Sequence, residues 1–194
     1  MGTIFVDKLD PQSGTSLEIG SSGDTITIPS GCTITNNGTQ SGFGGVNTPA
    51  FMATLSADFT CNDQQTTRVQ FDTETYDVGN CFDSTSTVGR FTVPTGEGGK
   101  YFFSAQLMIA ASGSVVHRSD TMLYKNGSEI AVNTGFDSNN TQFNVFAHIN
   151  IPLVLSAGDY IDVYNYNDVS SGTPSARKGS YGNKSFFSGF KIIE

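Results

Sequence analysis

The chain holds two histidines, His117 and His148. Neither stands in an H-E-x-x-H spacing that would grip a metal. Cys32, Cys61 and Cys81 are an odd set with no CxxC pair, so they read as reduced, mostly buried thiols rather than a disulfide framework or zinc centre. Ser175-Ala176-Arg177-Lys178 has S-x-x-K spacing. That nucleophile needs a helix start, and this stretch reads as loop. There is no G-x-S-x-G elbow, no Walker-type loop and no D-x-D-x-D-G calcium loop. Asp58, Asp63, Asp72, Asp77 and Asp137 could in principle pair for glycoside hydrolysis, but in such surroundings they read as solvated loop acids. The expectation is no enzyme, no cofactor and no metal site. Recognition chemistry remains. Tyr160, Tyr164 and Tyr166, with Asp162 and Asn167, form a candidate partner-binding surface, because Tyr offers area and a hydroxyl at low entropic cost. Cross-strand packing is the competing reading of the same stripe.

Strands must position these residues. The chain has 194 residues, Gly 22, Phe 15, Tyr 7 and no Trp, with 14% charged residues and a net charge of -8. Such a length leaves no room for two full domains of about 150 residues. The acidic balance excludes a basic nucleic-acid surface and argues against an anionic membrane as partner. No run of apolar residues is long enough for a membrane-spanning helix. The N-terminus lacks a basic stretch followed by an apolar one, so no secretory signal is expected. The sequons at Asn37, Asn126, Asn139 and Asn183 arise by chance in a chain rich in Asn, Ser and Thr.

Two regions differ in texture. Residues 1–46 carry short apolar beats, Leu17 and Ile19, Ile26 and Ile28, then Ile34, separated by Gly- and Ser-rich turns. So few apolar side chains cannot enclose a core alone. The segment is expected to wrap around copies of itself or lie on a partner, with Gln40 to Gly45 as hinge. Residues 49–194 alternate more strictly. Phe51, Ala53 and Leu55 share one face; so do Tyr101, Phe103, Ala105, Leu107 and Ile109; so do Val145, Ala147, Ile149 and Ile151. Asn126-Gly127 marks a two-residue type I′ hairpin turn. No stretch has helical period, so an all-β sandwich of roughly ten strands is expected. Phe102, Met108, Phe146 and parts of the last strand place large apolar groups on faces that should be polar, which points to a subunit interface.

Residues 49–194 resemble the C1q/TNF-like jelly-roll domain. Phe71, Asp77 and Phe82 match the spacing of its signature, and Gly99, Tyr101 and Phe103 its Gly-x-Tyr-x-Phe core. Leu155, Gly158, Asp159 and Ile161 resemble its L-x-x-G-D-x-V strand entry, and Phe187-Ser188-Gly189-Phe190 its closing F-S-G-F. The chain departs by two extra residues in each of the gaps Phe82–Phe91 and Phe91–Gly99, and by Ala105 in place of an aromatic; the gaps read as loop insertions. The resemblance implies a homotrimer with Met52, Phe102, Met108, Phe146, His148 and Phe190 facing the threefold axis. Three copies of His148 there could hold an ion or sense pH. Residues 3–31 are similar to N-terminal segments of tail-fibre and virion proteins of tailed phages. That likeness implies a virion anchor including Ile4, Phe5, Val6 and Leu9, assembly in the host cytoplasm, and other virion proteins, capsid or tail, as partners. Extended, 46 residues reach roughly 150 Å at most, which suits a capsid decoration or short fibre. A host-surface glycan or protein is a further candidate partner of the head. A secreted, lectin-like C1q recognition module and a glycan-active enzyme on a trimeric scaffold are the alternative functions.

Overall fold

In a computed structural model, residues 7–35, 37, 47–137, 144–178 and 184–192 are described. Contacts divide the chain into two units, 1–43 and 44–194. Within residues 7–35 there is no strand, only turns such as that closed by Asp24 N donating to Ser21 O at 2.9 Å. Leu9, Leu17, Ile19, Ile26, Ile28 and Ile34 are all exposed. Ile4, Phe5, Val6 and the hinge expected at Gln40 to Gly45 lie outside the described residues.

The second unit is all strand and loop among its described residues. In chain order the strands are β1 (Ala50–Thr54), β2 (Phe59–Thr60), β3 (Thr67–Arg68), β4 (Thr73–Val78), β5 (Phe82–Asp83), β6 (Arg90–Thr92) and β7 (Gly99–Ala111). They continue with β8 (Val116–Lys125), β9 (Ser128–Phe136), β10 (Asn144–Leu155), β11 (Tyr160–Val169), β12 (Pro174–Ala176) and β13 (Phe186–Lys191). They form two antiparallel sheets. The first is organised on β7, which pairs with β10 along one side and with β13 and β12 along the other; β13 pairs in turn with β1, and β1 with β4. The second runs β5-β6-β11-β8-β9, with β3 beside β11. Ten expected strands become thirteen because short edge pieces count separately. Both gap insertions fall in loops, 84–89 and 93–98. The first is tied by the Asp83 carboxylate, which accepts the amides of Thr85, Ser86 and Thr87.

Alternation builds the core as expected. Phe51 stacks on Phe82 and Phe91, with ring centroids 4.8 and 5.3 Å apart, and meets Phe187 edge-on at 4.8 Å. Gly189 makes this possible: a Cβ there would lie 2.6 Å from the Phe103 ring. The hairpin turn also forms as expected, with φ of 51° at Asn126 and 81° at Gly127. The apolar inward run of β11 stops at Val163. Asn165 and Asn167 point into the sandwich and are fully buried beside Ser119 and Thr121. Hydrogen bonds compensate most of this burial: Asn165 Nδ2 donates to Asp120 O at 2.8 Å, and Thr121 Oγ1 donates to Ala147 O at 2.9 Å, tying one sheet to the other, while Asn167 Oδ1 is left without a partner among the described residues.

Candidate interaction surfaces

Each sheet presents an outward face, and strand register fixes what lies beside what. On the first sheet, Val78, Ala50, Phe190, Phe102 and Pro152 stand in one row across β4, β1, β13, β7 and β10. The row is wholly apolar. Phe102 and Phe190 touch, centroids 5.7 Å apart. Phe190 is 37% exposed and Val78 48%. The next row reads Tyr76, Met52, Ser188, Ser104 and Asn150. Farther along, Gln106 stands opposite His148 and Met108 opposite Phe146. The six residues expected at an interface thus share one sheet face. Phe146 is 52% exposed, while Met108 is only 6% exposed. Met108 is covered by its own chain and floors a cleft, so it offers a neighbouring copy little area. His148 is exposed on edge strand β10, and its carbonyl accepts Asn133 Nδ2 at 2.6 Å.

Sequence reasoning missed several exposed apolar groups: Tyr76, Val78, Val154, Ile130, Val132 and Phe136. The alternation of β10 continued from Asn150 through Pro152 to Val154 would have found one of them. Tyr76 and Val78 were legible as alternate positions of Thr73–Val78.

The second sheet's outward face is built differently. Tyr160, Asp162, Tyr164 and Tyr166 do share it, but two of the five residues expected on the partner-binding surface are inaccessible to a partner. Asn167 has the opposite parity on β11, so its side chain points inward and is fully buried; its Nδ2 donates to Asn165 Oδ1. Asp162 lies on the outward face yet is 0% exposed, because two guanidiniums cover it. Arg90 reaches it through Nε at 3.0 Å and Nη2 at 2.7 Å, and Arg68 through Nη1 at 3.2 Å. The tyrosines are half-buried cover for these charges. The Arg90 guanidinium lies 3.7 Å from the Tyr160 ring centre, Tyr164 and Tyr124 rings sit 4.1 Å apart, and Arg118 stands 5.2 Å over Tyr166 while paired with Asp120. Hydrogen bonding to Asp162 raises the Arg90 pKa against the opposing effect of burial. Ring faces already taken by cations leave mainly edges and hydroxyls to a partner.

Two cysteines sit in the core and Cys32 is exposed; all are free. Burial pushes the Cys61 thiol up to about 11, and burial together with the Asp77 carboxylate raises Cys81 further. Neither is a nucleophile at neutral pH. Asp77 instead accepts Cys81 N at 3.0 Å and Phe82 N at 3.2 Å, which holds the turn into β5. Among the described residues, no cluster of His, Cys, Asp or Glu is arranged to hold a metal.

A profile of the C1q domain matches residues 50–192. The chain belongs to the C1q domain family. Among solved structures, its C1q domain is similar to the globular domain of zebrafish complement 1qA, at 17% identity and a TM-score of 0.52, over 74% of this chain and 97% of that one. It is also similar to murine APRIL, at 12% identity and a TM-score of 0.53, over 74% of this chain and 98% of that one. No curated protein sequence matches the chain. At these identities the likeness establishes the jelly roll alone. It does explain why the signature residues stand where they do: Asp77 holds a turn, Tyr101 donates its hydroxyl to Glu97 O at 2.6 Å, and Gly189 admits two rings. The motifs of this C1q domain are therefore scaffold residues, and its surface is free to differ.

Proposed function

We propose that the chain is a non-enzymatic homotrimer whose C1q domain is a binding or reinforcing head, carried on an N-terminal segment that docks elsewhere. The apolar row Val78, Ala50, Phe190, Phe102 and Pro152 carries this reading. Scattered exposed apolar residues need no explanation, but a contiguous row spanning five strands does. A threefold ring is heterologous, so each copy must offer two different patches. The row is one. The open side of the sandwich, where β9 and β10 expose Ile130, Val132 and Val154, is the other.

The exposed Leu and Ile of residues 7–35 support the second half of the proposal. Apolar groups at strand spacing that find no cover among the described residues of their own unit call for copies of the segment or a larger particle. The composition of residues 3–31 favours a phage virion as that particle, with the chain as capsid decoration or short fibre made in the host cytoplasm.

Sedimentation of the purified full chain tests the assembly: a trimer is expected, and a stable monomer at micromolar concentration overturns it. Mass spectrometry of purified virions tests the placement. Stoichiometric recovery with intact particles supports it; a chain found only as a secreted protein would make the head a recognition module instead.

A further inference from the structure

Cations are scarce here: ten Lys and Arg against eighteen Asp and Glu. Three of the ten converge on one open cleft of about 630 Å³, lined by Arg177, Lys178 and Lys184 with a single acid, Asp58. Ser56 on the wall gives its amide and hydroxyl to Asp72, at 2.7 and 2.5 Å; Asn144 adds an amide, and Met108 supplies an apolar floor. In a chain of net charge -8, three cations thus gather around two carboxylates, Asp58 and the Asp72 bound to Ser56, a local excess of one positive charge. Solvation alone does not produce that grouping, since scattered lysines would serve solubility equally well.

The cleft walls are held in place by the fold. Arg177 N donates to Met108 O at 2.9 Å, Lys178 N to Asp58 Oδ1 at 3.0 Å, and Gln106 Nε2 to Lys184 O at 2.9 Å. Met108 N donates in turn to Ser185 Oγ at 3.2 Å. Donors are left over. Arg177 spends Nη1 on Asp58, yet a guanidinium has five N–H groups. Lys178 spends one of its three on Ser56 O at 2.5 Å. The Lys184 ammonium has no acidic partner among the described residues. Such a set matches an oxyanion, because fixed charge-assisted donors gain most from a charged acceptor. The Asn144 amide and the apolar floor at Met108 match a compact ring bearing hydroxyl groups.

We propose that this cleft binds a carboxylate-bearing sugar unit, the oxyanion held by Lys184, Lys178 and the free edge of Arg177. The site lies six residues along β7 from the apolar row at Phe102, roughly 20 Å at strand rise. A monomer in the sedimentation experiment would leave this site standing, and loss of anion binding would leave the trimer standing.

Titration of the full chain by ligand-observed NMR, with glucuronate, glucose and inorganic sulfate as probes, tests it. Glucuronate should bind about tenfold more tightly than glucose, and sulfate should displace it. The charge reversal Lys184→Glu should weaken glucuronate by about tenfold or more with the circular dichroism spectrum unchanged. Raising salt from about 0.05 to 0.5 M should do the same to the unaltered chain, which makes the test independent of any variant's folding. Equal binding of glucose and glucuronate overturns the proposal. So does salt-insensitive binding, undiminished binding by Lys184→Glu, or binding of sulfate with no binding of glucuronate.

Discussion

The two outward faces of this sandwich solve the same problem in different ways. Both carry large aromatic side chains on the side that should meet water. On the β11 face each ring has a job within the chain: Tyr160 lies against Arg90, Tyr164 against Tyr124, Tyr166 against Arg118, and Asp162 is sealed beneath two arginines. On the β7 face, Phe102 and Phe190 have only each other, and Val78, Phe146 and Val154 stand exposed. One face covers its rings within the single chain, and the other leaves apolar side chains exposed. Aromatic content alone therefore says little about an interface; what matters is whether the rings' own neighbours already cover them.

The comparison breaks most visibly if the β7 face is made polar. The double variant Phe102→Glu, Phe190→Glu places two carboxylates in the middle of the row. Phe190 is 37% exposed and Phe102 is already partly buried in the single chain, so association can add only about a third of the ~1.5–3 kcal/mol for burying a whole Phe, and two rings in each of three copies amount to on the order of 5 kcal/mol. The variant should sediment as a folded monomer at concentrations where the parent is trimeric. A trimer that persists would mean the row is not the contact.

On the other face the effect should fall on folding. Asp162→Ala strips a fully buried carboxylate from Arg68 and Arg90, whose side chains are 23% and 27% exposed. Removing one partner of a buried cluster costs about 3 kcal/mol. Urea unfolding of the variant should show that loss with the oligomeric state unchanged. A loss below about 1 kcal/mol would mean the cluster behaves as an ordinary surface pair.

Much of this architecture was legible from residue types. Alternation placed Tyr101, Phe103, Ala105, Leu107 and Ile109 inward on β7, and the Asn126-Gly127 pair located its turn. Alternation also put Phe102 and Phe146 on the faces of their own strands that turn away from the core, since period 2 is a property of each strand; that those faces belong to one sheet came from the family resemblance. Which strands lie side by side depends on contacts far apart in sequence. The row from Val78 to Pro152 joins five strands and emerged only with register. Asn167 failed as a surface residue for a related reason. Parity sent it inward, and a polar side chain was counted as exposed when Ser119, Thr121 and Asn165 had made a polar pocket for it inside. Asp162 failed because nothing near it in sequence announces Arg68 and Arg90. The cleft at Lys184 was out of reach for the same cause: Asp58, Met108 and Arg177 meet there from three separate stretches.

Between the two faces, at one end of the sandwich, the β8–β9 turn is fastened to the turn between β10 and β11. Asn126 Nδ2 donates to Asp159 Oδ1 at 2.7 Å, and Asn126 Oδ1 accepts Tyr160 N at 2.9 Å. If the sandwich ends are as self-sufficient as the β11 face, Asn126→Ala should lower stability by about 2 kcal/mol, from two lost hydrogen bonds and a left-handed backbone that Asn tolerates better. Trimer formation should be unaffected. A variant as stable as the parent would show that backbone pairing alone, Asn126 N to Tyr160 O at 3.0 Å, holds the turn.

The smallest effect should come from acid, through the same fastening. Lys125, the Ser156 amide and Asn126 together hold the Asp159 carboxyl down to about 2. Its unfolded value is near 3.9, so the folded state binds the proton less readily than the unfolded chain does. The stabilisation is therefore complete above about pH 4 and is lost as pH falls through about 2. Exposure and salt screening limit it to about 1 kcal/mol. Asp83, held low by Ser86 and by the amides of its loop, adds to the same acid limb. Asp159→Asn should thus be slightly less stable than the parent at pH 6, and its unfolding free energy should fall less steeply between pH 4 and 2. Parallel curves for the two proteins would assign the acid limb to Asp83 and the other loop carboxylates.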